Sequence, residues 1–404
     1  GWNTAVGKSA LAANTTADSN VAIGKDAALS NTTGARIIAI GTDAYTSSDT
    51  ENDNMAIGYQ AMTGNTNGGN TNTAIGNYAL HDLVGGDNNI AIGYDTLSKL
   101  TNGVSNIAIG TNAGQTLVDG SNNIGIGHES LKLNTASYNT AVGVACMPAI
   151  TSGGENTAMG FNALNSLVTA TNCVAIGYNA LRDNLAATNV AVGSASLSVN
   201  TGGFNNTAIG DSSGFGNSTG DNNSYFGHDA GRTGSPGGSI TTADNVIVLG
   251  DENIANAHIQ VDWTVASDQR DKTDFTDLDV GLDFVNDLKP VTYKWDKRSK
   301  YADKYADDYD LNAITHDGTH KEDWLDVGFK AQEVEALEKA AGYKLADKTN
   351  LTTTLSGDGK QYGIKYNKFV PILVKAIQEL SAKNDTLETA NTALADRITA
   401  LENA

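Results

Sequence analysis

The sequence predicts a mainly β chain: a parallel β-solenoid or β-roll of about fourteen 17-residue repeats, then a small mixed domain, then a C-terminal coiled coil. Three observations predict it. A glycine-closed motif recurs through the first part, charge density rises abruptly in the second, and the last thirty or so residues carry a heptad of apolar positions.

The repeat reads asparagine, any residue, alanine, a β-branched or apolar residue, glycine. Asn3 to Gly7, Asn20 to Gly24, Asn72 to Gly76 and Asn89 to Gly93 are instances. Fourteen closing glycines run from Gly7 to Gly227 at a period of about 17, and a final variant ends at Gly250. A unit so short cannot bury its own apolar face, so the units must stack. The fixed glycine supplies a positive φ or a close backbone approach at a corner. Stacked asparagines can form side-chain ladders that satisfy corner backbone groups. A second apolar element follows most glycines, as at Ala10-Leu11, Ala79-Leu80, Ala163-Leu164 and Ala180-Leu181, and predicts two short strands per period. Neighbouring strand residues point to opposite faces and both members of the Ala-Ile pair are apolar, so one face lines the coil and the other needs a cover, such as a second subunit.

Composition agrees. The chain of 404 residues has 44 Gly and only 4 Pro, as a turn-rich β structure would. A formal net charge of −20 argues against nucleic acid and a bare membrane surface as partners. No apolar run reaches the roughly 20 residues that span a bilayer, so no membrane insertion is expected. The chain opens at Gly1-Trp2 without a start methionine or secretion signal, which reads as a piece of a longer protein. Cys146 and Cys173 stand in apolar surroundings and read as packing residues. The histidines His81, His128, His228, His258, His316 and His320 are scattered without ligand spacing. No metal and no cofactor is expected.

About 27 charged residues lie in the first 266 positions and about 45 in the remaining 138, which marks two construction principles. The division expected is 1–250 solenoid, 251–266 connector, 267–370 a compact domain and 371–404 coiled coil. In the tail, Leu373, Ile377, Leu380, Asn384, Leu387, Asn391, Leu394, Ile398 and Leu401 step by fours and threes. Asn384 and Asn391 take core positions, where they fix register at a cost in stability. The heptad leaves strand number open.

The repeats resemble the left-handed parallel β-roll heads of trimeric autotransporter adhesins and the repeats of many phage tail fibres, although the longer period here leaves handedness open. Downstream, Ser267 to Lys272 (SDQRDK), Leu288 to Trp295 (LKPVTYKW), Asp326 to Leu337 (DVGFKAQEVEAL) and Tyr362 to Leu380 stand in an order that resembles the endosialidase-type intramolecular chaperone. That domain ends phage tailspikes and tail fibres and also occurs in a membrane-anchored myelin regulatory factor. The resemblance covers residues 262 to 404. It implies a homotrimer, a chaperone that helps fold the stalk before it, and self-cleavage by a serine-lysine dyad. Carried over, Ser267 is the nucleophile and Lys272 the general base, with the Ala266-Ser267 bond cut and the bond after Ser267 as the alternative. A lysine takes a proton near neutral pH only if burial or a neighbouring cation, such as Arg270, destabilises its ammonium. Asp268 and Asp271 either orient the basic residues or are solvated loop charges. Gln332 and Glu333 belong to the AQE motif, with an assembly or a catalytic role.

The function expected is a trimeric tail-fibre or adhesin-like attachment protein, on a virion tail or at the extracellular face of a bacterium, with a cell-surface glycan or protein receptor. Alternatives are a polysaccharide-degrading tailspike, which needs two carboxylates roughly 5–10 Å apart in a groove, and a bacterial surface trimeric adhesin. The sparse acids Asp82, Asp87, Asp95 and Glu129 show no repeated pairing. Loops around Gly64 to Asn72 and Gly214 to Asn223 are the places to look for a receptor site.

Overall fold

The computed structural model describes residues 1–64, 68–260, 263–303, 306 and 309–403. The chain forms two compact units, Gly1–Asp251 and Glu252–Ala404.

The first unit is one parallel sheet of fifteen three-residue strands, β1 (Thr4–Val6) to β15 (Ile247–Leu249), hydrogen-bonded in strict sequence order. Equivalent residues face each other from turn to turn, as in the pairs Ala22–Ala39 and Ala74–Ala91. This is the β-solenoid that the period predicts. The central alanine of most strands points inward and is fully buried, while its neighbours point outward and are only half covered.

Two ladders fix each turn to the next. Gly76 has φ +137°, and a Cβ there would lie 2.1 Å from the carbonyl oxygen of Gly93, so conformation and space both require glycine. The asparagines form the second ladder. Asn89 Oδ1 accepts from the Asn106 backbone N–H at 3.0 Å, and Asn106 Oδ1 accepts from that of Asn123 at 3.0 Å. The side-chain amide of Asn106 then donates to the carbonyl of Gly120 at 2.9 Å. Each buried asparagine thus satisfies backbone groups that no strand reaches.

The second apolar element is a turn and not a strand, which corrects the expectation of two strands per period. Leu11, Leu80, Leu164 and Leu181 all sit in the left-handed region at φ 50–51°. Their N–H groups still bond to the next coil, as in Leu80 to Thr96 at 3.0 Å and Leu164 to Ala180 at 3.1 Å. The leucines therefore fill the core from a chain of tight turns stacked by hydrogen bonds.

The apolar interior runs in two segments, Leu11 to Leu117 and Leu131 to Val248. Between them one coil has Gly125 for the strand alanine, Ser130 for the turn alanine and Asn134 for the next apolar residue. Near the end, Tyr225 replaces the strand alanine and is fully buried. Its ring occupies the room left by Gly214 and Gly231, where added Cβ atoms would come within 2.8 and 2.4 Å of it. Large and small residues compensate across neighbouring coils.

In the second unit, α1 (Leu282–Asp287), α2 (Ala331–Ala340) and the start of α3 (Phe369–Glu402) enclose Val280, Phe284, Val334, Phe369 and Ile372. Two short antiparallel pairs complete it, β16 (Val291–Tyr293) with β17 (Asp326–Gly328), and β18 (Thr353–Leu355) with β19 (Tyr362–Ile364). Glu379 of α3 accepts from the Leu282 N–H at 2.7 Å and so caps α1, tying the long helix to the small core. Beyond that contact, the expected seam residues Leu387, Leu394, Ile398 and Leu401 are exposed by 53–77%. Among the described residues no helix is long and apolar enough to cross a membrane.

At one coil the asparagine ladder is interrupted by Cys173, whose Sγ stands where the carboxamide would and donates only weakly to Ala186 O at 3.3 Å. Asn106→Ala should lower the unfolding midpoint by an amount equivalent to about 2–4 kcal/mol, because buried backbone groups lose their partners. Cys173→Asn should raise it by about 1 kcal/mol, by making those bonds with a full-strength donor and acceptor. Guanidinium or thermal unfolding of the two variants reads the opposite signs.

Candidate functional site

The segment 252–260 and residues 263–266 form no regular element, and Ile254, Ile259, Trp263 and Val265 stand exposed. Then the chain turns sharply. Asp268 caps a single turn of 3-10 helix, Gln269–Asp271, by accepting from the Arg270 N–H at 2.9 Å. Asp268 also holds the Arg270 guanidinium, with Nη2 to Oδ2 at 2.6 Å. That guanidinium, and then the Arg270 backbone N–H, keep the Asp268 carboxyl below the usual carboxylate range. The Lys272 N–H returns to Gln269 O at 3.2 Å.

The turn folds Lys272 back onto Ser267. Lys272 Nζ donates to Ser267 Oγ at 2.5 Å, and both side chains are exposed. Loss of one proton from Nζ would reverse this hydrogen bond and leave the amine as acceptor for the hydroxyl proton, the arrangement of a nucleophile and its base. Arg270, the expected neighbouring cation, pairs with Asp268. Nor does the single chain bury Lys272, the other condition for an ammonium to release its proton readily. The Ala266 residue that precedes the turn is exposed.

Glu333 lies on α2, where its carboxylate pairs with Lys330 at 2.9 Å and is held below its usual range by that contact. It lines a hollow of about 210 Å³ with Leu288, Phe329, Val334 and Leu337. Its contacts do not include the Ser267 turn. Asn384 and Asn391 lie on the exposed part of α3, with Asn384 donating to Glu388 at 3.2 Å. Part of the suggested receptor loop near Gly64, residues 65–67, lies outside the described residues. In the other loop, Asn217 and Gly220 form a closed turn at 3.0 Å, which gives it a packing role.

Sequence spacing hid two arrangements. One is Glu338, fully buried on α2, whose carboxylate accepts from the N–H and hydroxyl of both Thr352 and Thr353 at 2.6–3.2 Å. Its signal was legible: Val334, Leu337 and Glu338 share one helical face. The other joins a histidine to acids that its sequence spacing does not place beside it. The last long coil brings His228 Nδ1 to 3.3 Å from Asp251 and 3.4 Å from Asp229. These atoms all lie within 4.8 Å of one another, and Arg232 reaches Asp229 at 3.6 Å. His320 packs edge-on against Tyr301, a loop contact as its sequence suggests.

Residues 267–343 match the chaperone of endosialidase family, Peptidase_S74. The matched region opens at Ser267, where the turn begins, and runs through α1, β16, β17 and α2. No curated protein matches the chain. A chaperone of endosialidase region behind a β-solenoid fits a tail fibre with a C-terminal chaperone domain.

Glu338 holds the β18–β19 pair against α2 from inside the small domain. Glu338→Ala should destabilise this unit by about 3 kcal/mol, since four bonds to the Thr352 and Thr353 donors are lost and those donors stay buried. Hydrogen exchange should show the Thr352 and Thr353 amides losing protection while the solenoid amides keep theirs.

Proposed function

We propose that the chain is the fibre-forming part of a trimeric attachment protein of a virion tail or extracellular surface, whose C-terminal chaperone region gathers three chains and then releases itself. The observation that carries the release step is the pairing of Ser267 Oγ and Lys272 Nζ at 2.5 Å on the first residues of the family match. The exposed heptad seam of α3 supports the gathering step, because apolar residues at this spacing stay in water unless identical helices cover them.

The reaction uses no separate substrate. Lys272, as the free amine, takes the Ser267 hydroxyl proton while Oγ attacks the Ala266 carbonyl carbon. The C–N bond then breaks, the proton passes to the departing Ser267 amine, and an ester joins Ala266 to Oγ. Water hydrolyses the ester, leaving an Ala266 carboxylate and Ser267 with a free α-amine and its hydroxyl restored. One event per chain suffices. Trimer packing around the turn would supply the dry surround that Lys272 lacks in the single chain.

Freshly expressed wild-type chain should yield two fragments on a denaturing gel, the smaller beginning at Ser267 by intact mass. Ser267→Ala and Lys272→Ala should stay whole. If all three remain uncut, the dyad assignment fails and only the attachment-fibre part of the reading is left.

A further inference from the structure

In a chain of net charge −20, not one residue of the fifteen strands carries a charge. The charged residues of the solenoid sit in its turns, as Lys25, Asp43, Asp95 and Glu129 do. Outward strand residues are instead threonine, serine, valine, isoleucine, leucine, methionine and phenylalanine. Ile23, Ile90, Met159, Ile176, Ile209 and Phe226 remain 36–49% exposed in the single chain.

At a strand spacing of about 4.8 Å and a rise of about 3.3 Å per residue, this face is a strip about 65 Å long and about 10 Å wide. It therefore exceeds the largest apolar patch of a typical soluble monomer, about 300–600 Å². It approaches the roughly 800 Å² that each partner contributes to a standard protein interface. Because every coil repeats uncharged outward residues at the same spacing, the surface most closely matched in length and period is its own copy.

We infer that the strand face β1–β15 packs against the same face of sister chains, so that the solenoids, and not only their C-terminal helices, are held together along their length. The inference rests on the oligomer proposed above and says which surface the oligomer buries. It also assigns the turns, which carry the charges and the exposed rings of Tyr94 and Tyr178, to the outside of the fibre.

The test is thiol labelling of the full chain in a Ser267→Ala background, which keeps the chain whole. The native thiols give little background: Cys146 and Cys173 are buried, and burial pushes the Cys146 thiol up to about 12. Ile209→Cys and the near-isosteric Thr207→Cys place probes on the face, and Leu185→Cys, 53% exposed in the loop before Val190–Val192, is the reference. With maleimide, both face probes should react at least tenfold more slowly than the reference, in a species whose native mass is that of an oligomer. Reference-rate labelling in an oligomer would overturn the inference and leave the oligomer standing. A monomeric native mass, at any labelling rate, would overturn both.

Discussion

Everything in the solenoid depends on hydrogen bonds that pass from one coil to the next. Within a coil there is almost nothing to hold: three strand residues, an alanine and a leucine inside, and a series of turns. The left-handed conformations of Leu80, Leu164 and Leu181 cost energy for residues other than glycine. They persist because each N–H finds a carbonyl on the following coil. The glycine corners make the same point sterically, since the Gly76 α-carbon is pressed against the Gly93 carbonyl. Stability is therefore close to one-dimensional, a sum over neighbouring coils with no global closure.

Such a molecule has a difficult start. The first coils to form lose conformational entropy before a neighbour returns any bond, and parallel pairing closes only after the long connection of a full coil. The second unit has the opposite character. Its α3 is a single local element, and Glu379 couples that helix to the small core through the α1 N-terminus. Helices form quickly, and an apolar seam on one of them can gather chains before the slow β pairing begins. On the proposed reading, this is why a long ladder of coils is followed by a compact domain and a long amphipathic helix.

The repeat was legible because its constraint is so strict: the glycine cannot be replaced, and the asparagine and alanine are each tied to a buried role. The turn that follows was misread as a strand because Ala-Leu is apolar and the leucine is buried either way. The discriminating signal lay one residue before that alanine. Asp26, Asp43, Asn112, Asn162 and Asn179 hold that place with positive φ, and Asp and Asn tolerate the left-handed region better than other side chains. The Ser267–Lys272 pair was legible because it is local, five residues apart across one capped turn. The pairing of Arg270 with Asp268 was not legible, since nearness in sequence does not say which charge a guanidinium meets. His228 and Asp251 were illegible, being brought together only by a coil of unusual length.

Exposure links the two units. The strand face, the α3 seam and the Ser267 turn are all left open by the single chain, and each lacks something of a different kind: cover for apolar area, a partner for a heptad, and a dry surround for an amine. On the proposed reading, association of identical chains supplies all three at once. On that reading, a serine–lysine pair on an exposed turn is a weak catalyst, and for a cut made once per chain that weakness is useful. Early cleavage would separate the coils from the helix that gathers them. Later cleavage would remove the point from which unfolding could begin and leave a fibre whose persistence is set by the rate at which coils peel apart.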